Sequence, residues 1–202
     1  MVKHFLYLLV VICVSFGPSA FGQGKNATPT ILKGPADWRF ERLPIPPGFA
    51  PDVKWNGFEE ARFAPGMFDP SSANYFSYAL VVSVEGTNPV EKADVQDFLD
   101  KYIKGLSVGV GRRKGLTPDA SQLGATVTAL KSESGSPAKF EAIVPFFDTF
   151  NDGRKIILNL RITVIPRADE KRTFVVLLIS PKPTDAEIWK TLRSIGEEVG
   201  TK

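Results

Sequence analysis

Carboxylates are the side chains with the most chemistry to offer in this sequence, and they fall into a few groupings. Asp148, Asn151, Asp152 and Gly153 bring oxygen ligands together over six residues, as a calcium loop does. They lack the regular carboxylates at alternate positions and the closing glutamate that such a loop needs, so the stretch reads as a hairpin turn. Glu59 adjoins Glu60, and Glu141 comes near Arg161 if their strands pair. A glycosidase requires two carboxyl groups about 5–10 Å apart across a cleft, one of them with a raised pKa. Adjacent strand residues point to opposite faces, which separates Glu59 from Glu60. A cross-strand salt bridge accounts for Glu141 with Arg161. Glu91, Asp94, Asp97 and Asp100 recur at near-helical spacing and fit the solvated side of a helix.

Two further stretches qualify for binding. In GLSVGVGRRKG (105–115), glycines surround Arg112, Arg113 and Lys114, so backbone amides and cations can gather an anion. The stretch follows a helix instead of opening one and matches no phosphate-loop pattern; a flexible basic loop is the plainer reading. In FAPGMFDPSSANYF (63–76), a loop carries Met67 and Phe68 where polar residues are usual. Pro65-Gly66 suits the centre of a type II turn, and Asp69-Pro70 with Ser71-Ser72 favours a second turn. Met67 and Phe68 are adjacent, so Phe68 is expected to pack back on the domain with Met67 partly exposed. Trp55, beside Asn56-Gly57, is the other aromatic without an evident place. Loops hold binding residues and aromatics anchor interfaces. The candidate ligand- or partner-binding residues are therefore Trp55, Met67, Phe68, Arg112, Arg113 and Lys114.

His4 and Cys13 are the only histidine and cysteine, and both fall in the first 22 residues. That segment reads as an export signal: Lys3 and His4, an apolar run from Phe5 to Phe16, then Ala20-Phe21-Gly22 for cleavage. The run is too short for a membrane span, and Cys13 follows Val10-Val11-Ile12, which is no lipidation site. The mature chain is expected to begin at Gln23. Without histidine or cysteine it has no Ser-His-Asp or Cys-His nucleophile, no histidine base and no usual zinc or haem ligands. No catalytic residue, metal site or cofactor is expected. Loss of Lys3 leaves 24 basic against 22 acidic residues, a net of +2. That is too small a surplus to argue for nucleic acid or a membrane surface. With no disulfide the core alone must hold the fold, and about 180 residues can bury enough surface to do so.

The elements that must position these residues are legible mainly in the C-terminal half. Residues 23–36 read as a flexible leader and 37–202 as one domain. LPIPPGFAP (43–51) reads as an extended proline strap lying on the sheet. A strand-like run from Phe58 to Phe63 is expected to break at Pro65-Gly66 and restart at Tyr75. Phe140, Ala142, Val144 and Phe146 alternate, as do Leu158, Leu160 and Ile162, the period of strands with one buried face. A three-residue turn at Asn151-Asp152-Gly153 would pair Phe150 with Arg154 and set Val144 opposite Leu160. A shorter strand at about 125–132 precedes this hairpin, and Pro145 should lie beyond its pairing. TFVVLLIS (173–180) is apolar on both faces, hence central or covered twice. One helix is expected from Asn88-Pro89 with Val95, Phe98, Leu99, Tyr102, Ile103 and Leu106 inward. A second should follow a Thr184/Glu187 capping box and end at Gly196. The expected fold is α+β: an antiparallel sheet of about six strands with two helices packed on one face.

The segment LPIPPGFAPDVKWNGFEEARFAPGMFDPSSANYFSYAL (43–80) resembles exported bacterial proteins of unassigned function, a resemblance that brings no activity or site residues. In topology the expected fold is similar to the sandwich of the PsbP-type photosystem proteins, which are non-enzymatic; that is an analogy of fold. The function expected is a non-catalytic periplasmic or secreted binding or accessory protein, its partner a protein or small ligand. The loops at 64–74 and 105–115 are its expected contact surfaces. Two alternatives stand beside it: a carboxylate-based hydrolase acting on glycans, and a carrier of a small apolar ligand between sheet and helices. Facing carboxylates in a pocket would favour the first, a closed apolar cavity the second.

Overall fold

The structure is a computed structural model that describes residues 29–200. The expected export signal, its cleavage site and the start of the leader lie outside these residues. Seven strands form one antiparallel sheet: β1 (Arg39–Ile45), β2 (Gly57–Phe63), β3 (Tyr78–Glu85), β4 (Thr126–Ala129), β5 (Ala138–Phe147), β6 (Lys155–Arg167) and β7 (Arg172–Ser180). Their order across the sheet is β1-β2-β3-β7-β6-β5-β4. The chain leaves the centre after β3, crosses one face as helix α1 (Lys92–Gly105), and starts again at the far edge with β4. A meander then returns it to β7 beside β3. At the far edge Gln96 and Asp100 of α1 bond the backbone of Ala125 and Val127, covering polar groups that an edge strand leaves open.

The sequence leads to both helices on one face; they lie instead on opposite ones. Val95, Phe98, Leu99, Tyr102 and Ile103 of α1 pack with Leu80, Val82, Leu160 and Leu177 in one core. Ile188, Trp189, Leu192, Ile195 and Val199 of helix α3 (Ile188–Gly200) pack with Ala79, Val81, Val176 and Leu178 in the other. The reason is β7, buried along nearly its whole length on both sides. Two apolar faces require two covers. α3 also runs through Gly196 to Gly200 instead of ending there. A Cβ at Gly196 would sit 3.3 Å from the Leu178 methyls, so this glycine serves close packing on β7. α1 begins at Lys92, with Glu91 and Asp94 forming its capping box, three residues after the expected start.

The β5–β6 hairpin keeps its expected faces but shifts register by two residues. Val144 lies opposite Leu158, and Ala142 opposite Leu160. Buried Asp148 causes the shift. Its carboxylate accepts from the Phe150 and Asn151 amides, the Asn151 side chain and the Tyr75 hydroxyl. Its own amide pairs with the Arg154 carbonyl at 2.9 Å. The ladder therefore closes at Asp148, and residues 149–153 form a wider loop. Pro145 lies past the end of β4 pairing at Ile143, as expected.

Two N-terminal expectations change. Leu43 to Ile45 belong to edge strand β1, and only the remainder of the proline strap is free of the sheet. Its Phe49 carbonyl passes so close to α1 that a Cβ at Gly105 would stand 2.4 Å from it. Residues 29–36, expected as flexible leader, are docked. Leu32 is fully buried in the second core. The Ile31 and Leu32 amides donate to the buried Glu60 carboxylate at 2.9 and 2.7 Å.

Candidate functional site

A cavity of about 100 Å³ opens between the β1–β3 end of the sheet and the C-terminal end of α1. Strand alternation builds its floor. On β2, Glu59, Ala61 and Phe63 face inward opposite Val82, Leu80 and Tyr78 of β3, while Glu60 faces the other core. β1 adds Arg39, Glu41 and Leu43; α1 adds Tyr102, with Leu106 beyond it; the strap adds Phe49. The 64–76 loop supplies Met67, Phe68 and Phe76, and the β5–β6 loop supplies Phe150. Among fifteen lining residues only Arg39, Glu41 and Glu59 are charged types.

Glu59 stands at the centre of this wall and is 3% exposed. Its Oε1 accepts from the Tyr102 hydroxyl at 3.0 Å, while Oε2 has no hydrogen-bond partner among the described residues. Burial pushes the Glu59 carboxyl up from 4.5 to about 8, against the Tyr102 hydrogen bond and with help from the Glu41 charge. At neutral pH it is therefore mainly the uncharged acid. Burial first, then the neighbouring Glu59, raises the Tyr78 and Tyr102 phenols above their usual range. At the rim Glu41 pairs with Arg39. Arg39 also lies 5.8 Å from the Phe63 ring centre.

The loop that carries Met67 and Phe68 has the expected turns but the opposite burial. Met67 donates its amide to Ala64 across Pro65-Gly66, where Gly66 has a φ of +80°. The second turn closes from Ser72 to Asp69. Phe76 then donates to the Met67 carbonyl at 2.9 Å and adopts a φ of +50°. That conformation is unusual for a bulky side chain, and it delays β3 to Tyr78 instead of Tyr75. The bond pins Met67 inward at 4% exposure and leaves Phe68 41% exposed. Phe68 rests on Phe63 and Phe150 at the rim.

The other candidates separate. Trp55 stacks on Phe98 at 4.4 Å with the planes 16° apart, outside the cavity lining, and completes the packing of α1. The 105–115 stretch is not a loop along most of its length: a π-helical turn (Leu106–Val110) and a one-turn helix α2 (Gly111–Arg113) continue α1. Leu106 and Val110 are buried, whereas Arg112, Arg113 and Lys114 are exposed. Lys114 donates to the Phe150 carbonyl at 3.0 Å and sits 5.6 Å from that ring centre, which braces the rim from outside. Glu141 and Arg161 form the expected cross-strand ion pair. Among the described residues no three or more acidic side chains gather as a metal site, and no helix is long and apolar enough to cross a membrane.

Sequence reasoning missed Glu59, Tyr78 and Tyr102 as a group. The signal was present: Glu59 shares the period-two face of Ala61 and Phe63. Weighing Glu59 only against Glu60 hid its real neighbour Glu41, which sits diagonally across the β1–β2 pair.

A sandwich with an apolar, acid-floored cavity under one cover is thus the class that fold and site define. No family model matches the chain, and no curated protein matches it. A solved structure that is similar is that of LpqN, involved in cell envelope biogenesis of Mycobacterium tuberculosis. The identity is 17%, the TM-score 0.30, and the match covers 85% of this chain and 79% of that one. So loose a likeness carries no argument about fold or function. The PsbP-type analogy is not confirmed by these comparisons.

Proposed function

We propose that this chain is a non-catalytic binding protein, acting in the cell envelope or outside the cell, and that its ligand is a small, mainly apolar molecule. The cavity between sheet and α1 carries this reading, because concave, largely apolar sites with a few polar groups are where small molecules bind. Met67 contacts the ligand from the wall and Phe68 from the half-open rim. Trp55, Arg112 and Arg113 have no part in it, and Lys114 acts only through Phe150. Export rests on the signal-like residues 1–22; fractionation of native cells should find the chain outside the cytoplasm, starting at Gln23.

Ala61→Leu tests the cavity. Ala61 is 7% exposed and lines it, so a larger side chain fills the space. Ligand-observed NMR with a panel of small organic probes should show saturable binding to the wild type and loss of that binding in Ala61→Leu. Binding that survives in the filled variant would place the site elsewhere.

One observation favours the hydrolase alternative: Glu41 and Glu59 line the same cavity, and Glu59 has the raised pKa of a general acid. Against it, the lining offers a sugar's hydroxyls few polar partners, and Glu41 is engaged by Arg39. Turnover of a fluorogenic glycoside by the wild type, abolished in Glu59→Gln, would establish the enzyme.

A further inference from the structure

Buried polar atoms without partners are rare, and each calls for a reason. Among the described residues Glu59 Oε2 is such an atom, in a side chain almost wholly removed from solvent and lining the cavity. Its other oxygen is already used by Tyr102, so the carboxyl is held in place with one oxygen unengaged. The groups that face it are Tyr102 from α1, Tyr78 from β3, and Glu41 with Arg39 from β1. Both phenols stay protonated, and Arg39 and Glu41 neutralise each other at the rim.

From this geometry we infer that Glu59 is a ligand-recognition residue whose Oε2 hydroxyl donates a hydrogen bond to an acceptor oxygen on an uncharged apolar ligand, such as a ketone, ester or ether. This inference rests on the binding reading above and names its ligand class. An anionic head would meet the Glu41 charge and a cation already occupied by it. A cationic head would first have to strip the proton from Glu59, whose carboxyl burial holds well above the ordinary carboxylate range. A neutral oxygen needs neither. The cavity is smaller than the ~150 Å³ void that admits benzene in an engineered core. It therefore takes one small ring or a short chain, and any larger ligand extends past Phe68 at the rim.

Three probes of similar bulk separate the possibilities: cyclopentanone, its hydrocarbon counterpart methylenecyclopentane, and tetramethylammonium. Binding is read by NMR titration of the wild type, Glu59→Gln and Glu59→Leu between pH 6 and 9.5. Cyclopentanone should bind roughly five- to tenfold more tightly than methylenecyclopentane, the worth of one hydrogen bond. Its affinity should decline above about pH 8 in the wild type. Glu59→Gln, which keeps an uncharged donor, should retain the preference without the pH dependence, and Glu59→Leu should lose it. Equal binding of the ketone and the hydrocarbon would overturn the inference and leave the apolar-cavity reading standing. Tighter binding of tetramethylammonium, growing with pH, would overturn it by showing Glu59 to act as a carboxylate. Binding of none of the three would remove both.

Discussion

At the scale of single residues, Glu59 is the side chain whose behaviour follows most directly from its surroundings. Its carboxyl titrates near 4.5 unfolded and about 8 folded. Below pH 4.5 both states are protonated, and Glu59 carries no ionisation cost. As pH rises the unfolded chain releases this proton first, so the folded state loses relative stability until about pH 8 and then levels off. The loss is about 5 kcal/mol as an upper figure. Glu59→Gln removes it, so the stability of the variant relative to wild type should increase from pH 4.5 to 8 in chemical denaturation. A difference independent of pH would refute the buried acid. Met67 and Phe68 give a second contrast. Met67→Ala should cost about 2–5 kcal/mol as a buried truncation. Phe68→Ala, already two-fifths exposed, should cost roughly 1–2 kcal/mol while weakening ligand retention. Thermal unfolding of the two variants decides the order.

At the scale of elements, the β5–β6 hairpin shows how one polar side chain sets a register that apolar pattern leaves open. Shifts of two residues keep every core residue on its face, so Val144 can meet either Leu158 or Leu160 without exposing anything. Asp148 chooses between them by gathering donors from the loop and from Tyr75. Asp148→Ala leaves the buried Tyr75 hydroxyl and the part-buried loop donors without this acceptor, at a cost of about 3 kcal/mol. Denaturant unfolding should register it, and a loss below about 1 kcal/mol would mean that apolar pairing fixes the register unaided. The capping of α1 is a similar case. Asn88-Pro89 is a plausible start, yet the reciprocal Glu91–Asp94 box lies one turn further on and satisfies two amides at once.

For the whole molecule, the decisive feature is a sheet covered on both faces at its centre. β3 and β7 are adjacent, each packed under α1 on one side and α3 on the other. Native-state hydrogen exchange should find their amides the slowest, with β1 and β4 at the edges faster. If β4 and β5 exchanged slowest, the meander would be the stable unit instead. The docked segment at 29–36 closes the second core, so removing residues up to 38 should cost several kcal/mol through loss of buried Leu32 and of two partners of buried Glu60. A truncated chain that melts at the wild-type temperature would show the segment to be dispensable.

The sequence alone determined the antiparallel α+β class, the inward stripes of both helices, the two turns around Met67 and the lack of histidine and cysteine after residue 22. These are local properties: period, turn chemistry and composition act over a few residues. Tertiary structure decided which face each helix covers, which of two equivalent registers the hairpin takes, and whether Met67 or Phe68 turns inward. It also decided that Glu59 faces a cavity with one oxygen unengaged. Each of these depends on partners far away in the chain: Leu178 for Gly196, Tyr75 for Asp148, and Tyr102 for Glu59. Pattern in one segment gives the side a residue points to; only the packed neighbours give what it meets there.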